Sequence, residues 1–215
     1  MRGVFVTGTD TDVGKTRVCA ALLAGAPAAW RYWKPVQTGL ADDAGDTATV
    51  RRLARLSAER APDVGVRLGP PVSPHFAAHQ AGQSIEIATL AETAQLELGA
   101  DDFVVVEGAG GLLAPLNDRH TMLDLARALG LPVLVVVRVR LGAINHALLT
   151  ERVLRQSGVT ALGFVLSGAE DPSLESALAA HAVLPVLGRL PECPPDTPLA
   201  ACGESLRLAL LEHLP

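Results

Sequence analysis

Residues 8–16 have the types and spacing needed to hold a phosphate group. They read Gly-Thr-Asp-Thr-Asp-Val-Gly-Lys-Thr and match the pattern G-x-x-x-x-G-K-[ST] in full. Glycines let such a loop curl so that its N–H groups face a polyphosphate, while Lys15 supplies a point charge and Thr16 a hydroxyl for Mg²⁺. A chance match is the alternative. Because an apolar run precedes the loop and a helix-prone stretch follows it, the sequence predicts a strand, a phosphate loop and a helix.

A second candidate is a lysine in an arginine-rich chain. Of the 18 basic side chains, only Lys15 and Lys34 are lysines. A lysine that stands against such a bias favours a compact ammonium over a planar guanidinium. The alternative is an ordinary surface lysine near a strand end. Thr38, four residues further on, adds a hydroxyl that could donate to a substrate oxygen.

A carboxylate follows a strongly apolar stretch in the middle of the chain. Residues 103–106 are Phe-Val-Val-Val, and Glu107 comes directly after them. Enzymes with a phosphate loop hold Mg²⁺ with a carboxylate at such a strand tip, whereas a solvated turn is the alternative. The next four residues, 108–111, are Gly-Ala-Gly-Gly and can bring backbone N–H groups close to an anion. They are interpreted as a second anion cradle.

Three further groups allow two interpretations from local sequence. Asp46 could be a metal ligand or the N-cap of the following helix, and its spacing alone favours the cap. His75 and His79 would share one face of a helix, as zinc ligands can, but no third ligand stands near them in sequence. Gly142 to Asn145 precede a helix-like stretch, where Asn145 and free N–H groups could meet a carboxylate; an ordinary helix start is the alternative.

Apolar runs and helix-like stretches alternate along the chain. This pattern predicts an α/β fold of three layers, with a doubly wound, mainly parallel sheet and helices on both faces, as in the P-loop NTPase fold. Strands are predicted at 4–7, 30–34, 103–107, 133–137, 162–166 and 186–190. Helices are predicted at 17–24, 47–56, 87–98, 122–129, 144–156, 174–182 and 204–213. Gly8, Lys34, Glu107 and Ser167 would then meet at the carboxyl edge of the sheet.

Composition narrows the class of protein. A length of 215 residues without a linker predicts one domain, 1–215, and 49% hydrophobic with 3% aromatic residues predicts a core of Ala, Leu and Val. A net charge of −5 argues against a nucleic-acid partner. Without a leader pattern or a long uncharged apolar stretch, we expect a cytoplasmic protein with no membrane association. Cys193 and Cys202 are expected to be reduced, although their spacing would permit a disulfide.

Taken together, five ordered motifs resemble those of dethiobiotin synthetase. They are the phosphate loop, Lys-Pro-Val-Gln-Thr-Gly from Lys34, Ser-Pro-His from Ser73, Val-Glu-Gly-Ala-Gly-Gly around Glu107 and Leu-Gly-Ala-Ile-Asn-His-Ala from Leu141. The motifs extend from residue 7 to about residue 150. The resemblance implies an Mg-ATP-dependent reaction of biotin biosynthesis, in which 7,8-diaminononanoate and CO₂ give dethiobiotin through a carbamate and a carbamic–phosphoric anhydride.

The resemblance also implies roles for individual residues. Lys15 and Lys34 would be catalytic, and Thr16, Asp46 and Glu107 would hold Mg²⁺, against the local preference for Asp46 as a cap. The nucleotide-binding residues would be Asp12, Val13, Gly14, Lys15, Thr16, Arg17, Asp46, Glu107, Gly108, Ala109, Gly110, Ser167, Gly168, Leu190, Pro191 and Glu192. The substrate-binding residues would be Thr38, Ser73, Gly111, Gly142, Ala143 and Asn145, with the segment near Asn145 acting across the interface of a homodimer.

The preferred nucleotide base and an alternative function stay open. Many members carry Asn-Asp where this chain has Ser167-Gly168, so the preferred nucleotide base is not predicted. The alternative function is a partition-type or regulatory ATPase switch on the same fold. Such ATPases usually carry a signature lysine early in the phosphate loop, where this chain has Asp10.

Overall fold

Eight strands and eight helices form the described part of the chain. The computed structural model describes residues 1–41, 43–99, 101–192, 194, 197 and 199–215. The strands are β1 (Arg2–Gly8), β2 (Trp30–Trp33), β3 (Val36–Gln37), β4 (Val66–Arg67), β5 (Phe103–Gly111), β6 (Val133–Arg138), β7 (Ala161–Ser167) and β8 (Val186–Leu190). The helices are α1 (Lys15–Leu23), α2 (Gly45–Ala54), α3 (Pro74–Gln80), α4 (Ile87–Glu97), α5 (Met122–Leu129), α6 (Ala143–Ser157), α7 (Pro172–His181) and α8 (Ala200–His213).

The central sheet is parallel, in the order β2-β5-β1-β6-β7-β8. The remaining strands, β3 and β4, form a small parallel sheet of their own. Because all six central strands run in one direction, their carboxyl ends meet at one edge. The strand that carries Glu107 lies between the strands that lead to the phosphate loop and to Lys34.

Apolar side chains cover both faces of the central sheet. Alternate residues of β1 point to opposite sides, so Val4 and Val6 belong to one core and Phe5 to the other. The first core also contains residues of α1, α2 and α8, and the second contains residues of α3 to α7. These two cores confirm the predicted three-layer architecture.

The predicted elements are all present, and the structure adds three more. Strand β4 and α3 lie in the Pro- and Gly-rich region between residues 42 and 84, where local sequence gave little periodicity, and β3 has only two residues, Val36–Gln37. Strand β5 also continues past Glu107 to Gly111, because the chain pairs again with β1 after a register shift, with Gly111 opposite Gly8. Residues 108–111, which the sequence analysis interpreted as an anion cradle, therefore form the end of strand β5.

The helices and the cysteines bear on two further expectations. In the described part of the chain, no helix has the length and apolar character to cross a membrane. Cys193 lies outside the described residues, so the expectation that Cys193 and Cys202 are reduced stays a prediction.

Helix α8 braces the helix that follows the phosphate loop. Gly203 packs so closely on α1 that a Cβ atom there would overlap the carbonyl oxygen of Ala21. Four residues on, the guanidinium of Arg207 donates to the carbonyl oxygens of Ala21, Leu22 and Ala24 at 3.3, 3.2 and 2.6 Å. These carbonyls lie at the end of α1 and lack helical partners, and the positive charge also suits that end of the helix dipole.

We expect Gly203→Ala to lower the free energy of unfolding by about 1–3 kcal/mol, because α8 must move away from α1 to admit the methyl group. Urea denaturation followed by circular dichroism measures this change. The exposed neighbour Glu204 supplies the control, since Glu204→Ala should change stability by less than about 0.5 kcal/mol. Equal stability of the two variants would contradict the close packing.

Candidate active site

The phosphate loop joins β1 to α1 through two left-handed residues, Asp12 and Gly14. Gly14 is the N-cap of α1 at φ +100°, a conformation that a residue with a side chain rarely adopts. Lys15 begins the helix, and its ammonium donates to the carbonyl oxygen of Asp10 at 3.0 Å. The free N–H groups of the first helical turn therefore face the loop, as in sites that bind phosphate.

The end of β6 and the loop after it brace the phosphate loop from the other side. Arg138 donates to the carbonyl oxygen of Asp12 at 3.1 Å. Arg140 forms an ion pair of 2.7 Å with the carboxylate of Asp10. The residue at the signature-lysine position of the alternative ATPases is thus an aspartate that is already paired with an arginine.

Four polar side chains from distant parts of the chain form one cluster beside the loop. The hydroxyl of Thr16 lies 2.9 Å from Asp46 Oδ1 and 2.9 Å from Glu107 Oε1. The ammonium of Lys34 lies 2.7 Å from Asp46 Oδ2 and 3.0 Å from Glu107 Oε1. Its third contact is the carbonyl oxygen of Gly108 at 3.0 Å. All three N–H groups of Lys34 therefore have acceptors.

Asp46 is not the helix cap that its local sequence favoured. The N-cap of α2 is Ala44, and Asp46 lies in the first helical turn. Its backbone N–H donates to the side-chain oxygen of Gln37 at 3.0 Å, which ties the start of α2 to β3. Its carboxylate is then directed at Thr16 and Lys34, as the family resemblance implied.

Burial is the largest influence on the protonation of this cluster. It would lower the pKa of Lys34, but the charges of Glu107 and Asp46 outweigh it and raise that pKa above its ordinary value. Burial raises the pKa of Glu107, and Lys34 offsets only part of this rise. For Asp46 burial also acts upward, but Lys34 and Thr16 lower the pKa below its usual range. Lys34 is therefore a stable cation between the two acids.

The other lysine is affected in the opposite direction. Burial lowers the pKa of Lys15, and the nearby positive charge of Lys34 lowers it further. An additional negative group between the two ammonium groups would relieve this repulsion. The arrangement therefore favours an anion, such as the terminal phosphates of a nucleotide.

The oxygen atoms of the cluster fit a hard divalent cation. The single proton of the Thr16 hydroxyl cannot fully serve both carboxylate oxygens that lie 2.9 Å from it. Oxygen donors are what Mg²⁺ requires of a site. The oxygens of Thr16, Asp46 and Glu107 therefore suit the ion that the family resemblance implied for them.

A cleft of about 1350 Å³ runs from the phosphate loop past this cluster. Both lysines line it, so the two ammonium groups share one crevice. Many other residues predicted for the site also line it. They are Asp12, Val13, Gly14, Thr16, Arg17, Thr38, Asp46, Ser73, Glu107, Ala109, Gly110, Gly111, Ser167, Gly168, Leu190, Pro191 and Glu192.

Four predicted residues do not line the cleft. Gly108 contacts the cluster through its backbone, since its carbonyl oxygen accepts a hydrogen bond from Lys34. The other three lie at the start of α6, shortly after Arg140, which binds the phosphate loop: Gly142, Ala143 and Asn145. These three residues do not line the cleft, and their role in substrate binding stays a prediction.

The two histidines considered for zinc do share a helix. His75 and His79 both lie in α3, and His75 contacts the hydroxyl of Ser73 at 3.2 Å. Among the residues that the structure describes, no three His, Cys, Asp or Glu side chains form a group that could hold a metal ion.

Tyr32 is a member of the cluster that sequence reasoning missed. It is fully buried, and its hydroxyl donates to Glu107 Oε2 at 2.9 Å. Burial, followed by the charge of Glu107, raises the pKa of Tyr32 well above its ordinary value, so the phenol keeps its proton. The available signal was its position two residues before Lys34, because side chains two apart on a strand lie on one face.

The fold and the site together define a P-loop NTPase with a second lysine and two carboxylates beside the phosphate loop. A family profile described as an AAA domain matches residues 2–198. The ATP-dependent dethiobiotin synthetase of Nitrobacter hamburgensis is 46% identical over 90% of this chain and 88% of that protein. The chain belongs to the dethiobiotin synthetase family.

A longer protein and a solved structure are also similar to this chain. The bifunctional biotin biosynthesis protein of Bordetella avium is 44% identical over 89% of the chain, which spans only 40% of that longer protein. Among solved structures, the septum site-determining protein MinD of Pyrococcus horikoshii, complexed with Mg-ADP, superposes with a TM-score of 0.59 and covers 98% of this chain and 95% of its own. At 16% identity, that likeness concerns the fold alone.

We expect Lys34→Met to lower the free energy of unfolding by about 3 kcal/mol at neutral pH, because it leaves buried carboxylates without their cation. Denaturant unfolding measures the loss. Lys34→Met combined with Glu107→Gln should recover much of this stability, because the buried charge is then removed along with its partner. Wild-type stability of the single variant would show that the cluster does not depend on this ion pair.

Proposed function

We infer that this chain is a dethiobiotin synthetase, which uses ATP to close the ureido ring of dethiobiotin in biotin biosynthesis. The observation that carries this inference is one cleft in which both lysines of the chain meet Thr16, Asp46 and Glu107. The close relatives share the same named activity. A reaction that consumes ATP also supports a cytoplasmic location.

The proposed reaction has three bond-forming steps. One amine of 7,8-diaminononanoate adds to CO₂ and loses a proton, which gives a carbamate. A carbamate oxygen then attacks the γ-phosphorus of ATP and displaces ADP, which gives a carbamic–phosphoric anhydride. The second amine attacks the anhydride carbon, loses a proton and expels phosphate, so that the ring closes. Each step changes negative charge on oxygen, which positive groups held in place can stabilise.

Lys15 and Lys34 are the proposed sources of that positive charge. Lys15 would hold the β- and γ-phosphate oxygens at the start of α1, where the free N–H groups of the helix assist it. Lys34 would neutralise the carbamate and the transferring phosphoryl group. Because its three N–H groups already have acceptors, Lys34 must exchange one of them for a ligand oxygen. A compact ammonium can do this with a small side-chain movement.

We propose that Thr16, Asp46 and Glu107 hold Mg²⁺ together with the nucleotide. When bound, the ion would neutralise charge on the β- and γ-phosphate oxygens. The structural support is the spacing of the three side-chain oxygens around the Thr16 hydroxyl, whose single proton cannot fully serve both carboxylates. Gln37 and Tyr32 support two of these residues by hydrogen bonds to Asp46 and Glu107.

The part of the cleft formed by the ends of β7 and β8 is the proposed base site. Ser167, Gly168, Leu190, Pro191 and Glu192 line it. The N–H of Gly168 already donates to the carbonyl oxygen of Leu190 at 3.0 Å. The hydroxyl of Ser167 and the carboxylate of Glu192 are the polar side-chain groups of this set, so base recognition would depend on few directional contacts.

We further propose that the active unit is a homodimer. Four large apolar side chains near the start of α6 are exposed, which is costly on a free surface: Leu113, Leu141, Ile144 and Leu149. Leu113 and Leu149 line one shallow cavity of about 280 Å³. A second copy that covers this face would bring its own Gly142, Ala143 and Asn145 towards a neighbouring site. There the free N–H groups of α6 could meet the substrate carboxylate, while Thr38 and Ser73 line the cleft itself.

The purified protein should form dethiobiotin and release phosphate when it receives 7,8-diaminononanoate, bicarbonate, Mg²⁺ and a nucleoside triphosphate. We expect Lys34→Arg to lose most of this turnover, because a guanidinium is too wide for a site shaped around an ammonium. Mass spectrometry of the product and a phosphate assay measure both results, with ATP, GTP, CTP and UTP run in parallel.

The exposed Arg152→Lys variant serves as the control and should keep wild-type turnover. No dethiobiotin with any nucleotide would contradict the proposed activity. Full turnover by Lys34→Arg would instead remove only the assigned role of Lys34.

We expect Leu149→Asp to convert the protein from a dimer to a monomer, because it introduces a charge into the apolar patch. Light scattering after size exclusion should give about twice the chain mass of 22.4 kDa for the wild type and one chain mass for the variant. Leu208 is equally exposed but lies on α8, so Leu208→Asp should stay dimeric. A monomeric wild-type protein at micromolar concentration would contradict the proposal.

A further inference from the structure

Tyr32 makes a contact that the proposed reaction does not use. Its phenol is fully buried beneath the cleft, and its hydroxyl donates to Glu107 Oε2 at 2.9 Å. The other oxygen, Oε1, accepts from Lys34 at 3.0 Å and lies 2.9 Å from the Thr16 hydroxyl. The two oxygens of one carboxylate therefore have different partners.

The sheet explains why Tyr32 and Lys34 reach the same carboxylate. Tyr32 pairs with Val105 in the β2–β5 register. Glu107 stands two residues after Val105, and Lys34 two residues after Tyr32, so all four side chains lie on one face of the sheet. Tyr32 approaches Glu107 from the interior, while Lys34 and Thr16 approach it from the cleft. Only Oε1 is left on the cleft side.

We propose that Tyr32 is a positioning residue that restricts Glu107 to one metal-facing oxygen and thereby favours Mg²⁺ over Ca²⁺. Mg²⁺ is small and octahedral and takes few carboxylate ligands, whereas Ca²⁺ accepts six to eight oxygens and often binds both oxygens of a carboxylate. A hydrogen bond that occupies Oε2 opposes the second mode. This inference rests on the Mg²⁺ site proposed above.

The hydroxyl, and not the ring, carries this role. Phenylalanine would fill the same apolar volume as the ring of Tyr32. Another buried aromatic residue of β2, Trp33, lies on the opposite face of the sheet. Without the hydroxyl, Oε2 would lose its phenolic donor inside the protein, which is costly. Rotation of the carboxylate towards the cleft would relieve that cost and present both oxygens to a cation.

The test is Tyr32→Phe, with Mn²⁺ as the probe of the metal site. Electron paramagnetic resonance measures free Mn²⁺ in the presence of protein and ADP, and Mg²⁺ or Ca²⁺ is then titrated to displace the bound ion. We expect the ratio of Mg²⁺ to Ca²⁺ affinity to fall by up to about tenfold in the variant, which is the lower end of the loss of metal affinity seen when a partner of a metal ligand is removed. Because both proteins share one buffer and nucleotide, the affinity of the free nucleotide for each ion cancels.

Trp33→Phe is the matched control. It removes a buried side-chain donor from the same strand, but that donor bonds to the carbonyl oxygen of Val64 at 3.0 Å on the other face. Its ion ratio should equal that of the wild type, even if its stability falls. Tyr32→Met provides a second variant without the hydroxyl, in case Tyr32→Phe does not fold.

The possible results separate the two proposals. A wild-type protein that binds no Mn²⁺ with ADP would overturn the metal site itself. A wild-type protein that binds Mn²⁺, with an unchanged ion ratio in the folded Tyr32 variant, would overturn only the role of Tyr32. An equal fall in Trp33→Phe would mean that loosening of β2, and not the hydrogen bond to Glu107, sets the preference.

Discussion

The buried carboxylate of Glu107 is the group on which the rest of the site depends. It is 1% exposed on a central strand, and an isolated charge in such a place costs several kcal/mol. Its donors come from two parts of the fold: Thr16 belongs to α1, while Tyr32 lies within β2 and Lys34 follows its last residue. Because these bonds keep the charge tolerable, the phosphate loop, the second lysine and the strand that carries Glu107 are fixed relative to one another.

The strand order makes this possible for residues far apart in sequence. Strand β5 lies between β1 and β2, so the phosphate loop stands on one side of Glu107 and Lys34 on the other. Asp46 completes the cluster from a helix, and its position depends on the hydrogen bond from its N–H to Gln37. The order of a parallel sheet thus turns three separate motifs into one site, as is general for the carboxyl edge of such sheets.

Local chemistry made part of this arrangement predictable. The phosphate loop and its flanking strand and helix follow from glycine spacing and apolar periodicity, and the strand-end rule brought Lys34 and Glu107 together. Local sequence was wrong about Asp46, because the residue that orients it, Gln37, belongs to another element. The length of β5 was also missed, since the pairing of Gly111 with Gly8 depends on a register shift that no local pattern contains. The spacing of Tyr32 to Lys34 gave its face of β2, but its contact with Glu107 also needed the register of β2 on β5, which only the assembled sheet supplies.

The likeness to MinD concerns the fold alone. Two proteins 16% identical can share this sheet, so the side chains placed on it, and not the sheet itself, distinguish one site from another. At the signature position this chain has Asp10, which Arg140 already neutralises, so a second ammonium in the proposed reaction would come from elsewhere. Lys34, which follows β2, would supply it, and it is bound to three acceptors. A cation held in this way can give up one acceptor for a ligand oxygen without leaving its place, because the other two contacts remain. A guanidinium, fixed by its planar fork, could not make that exchange one bond at a time.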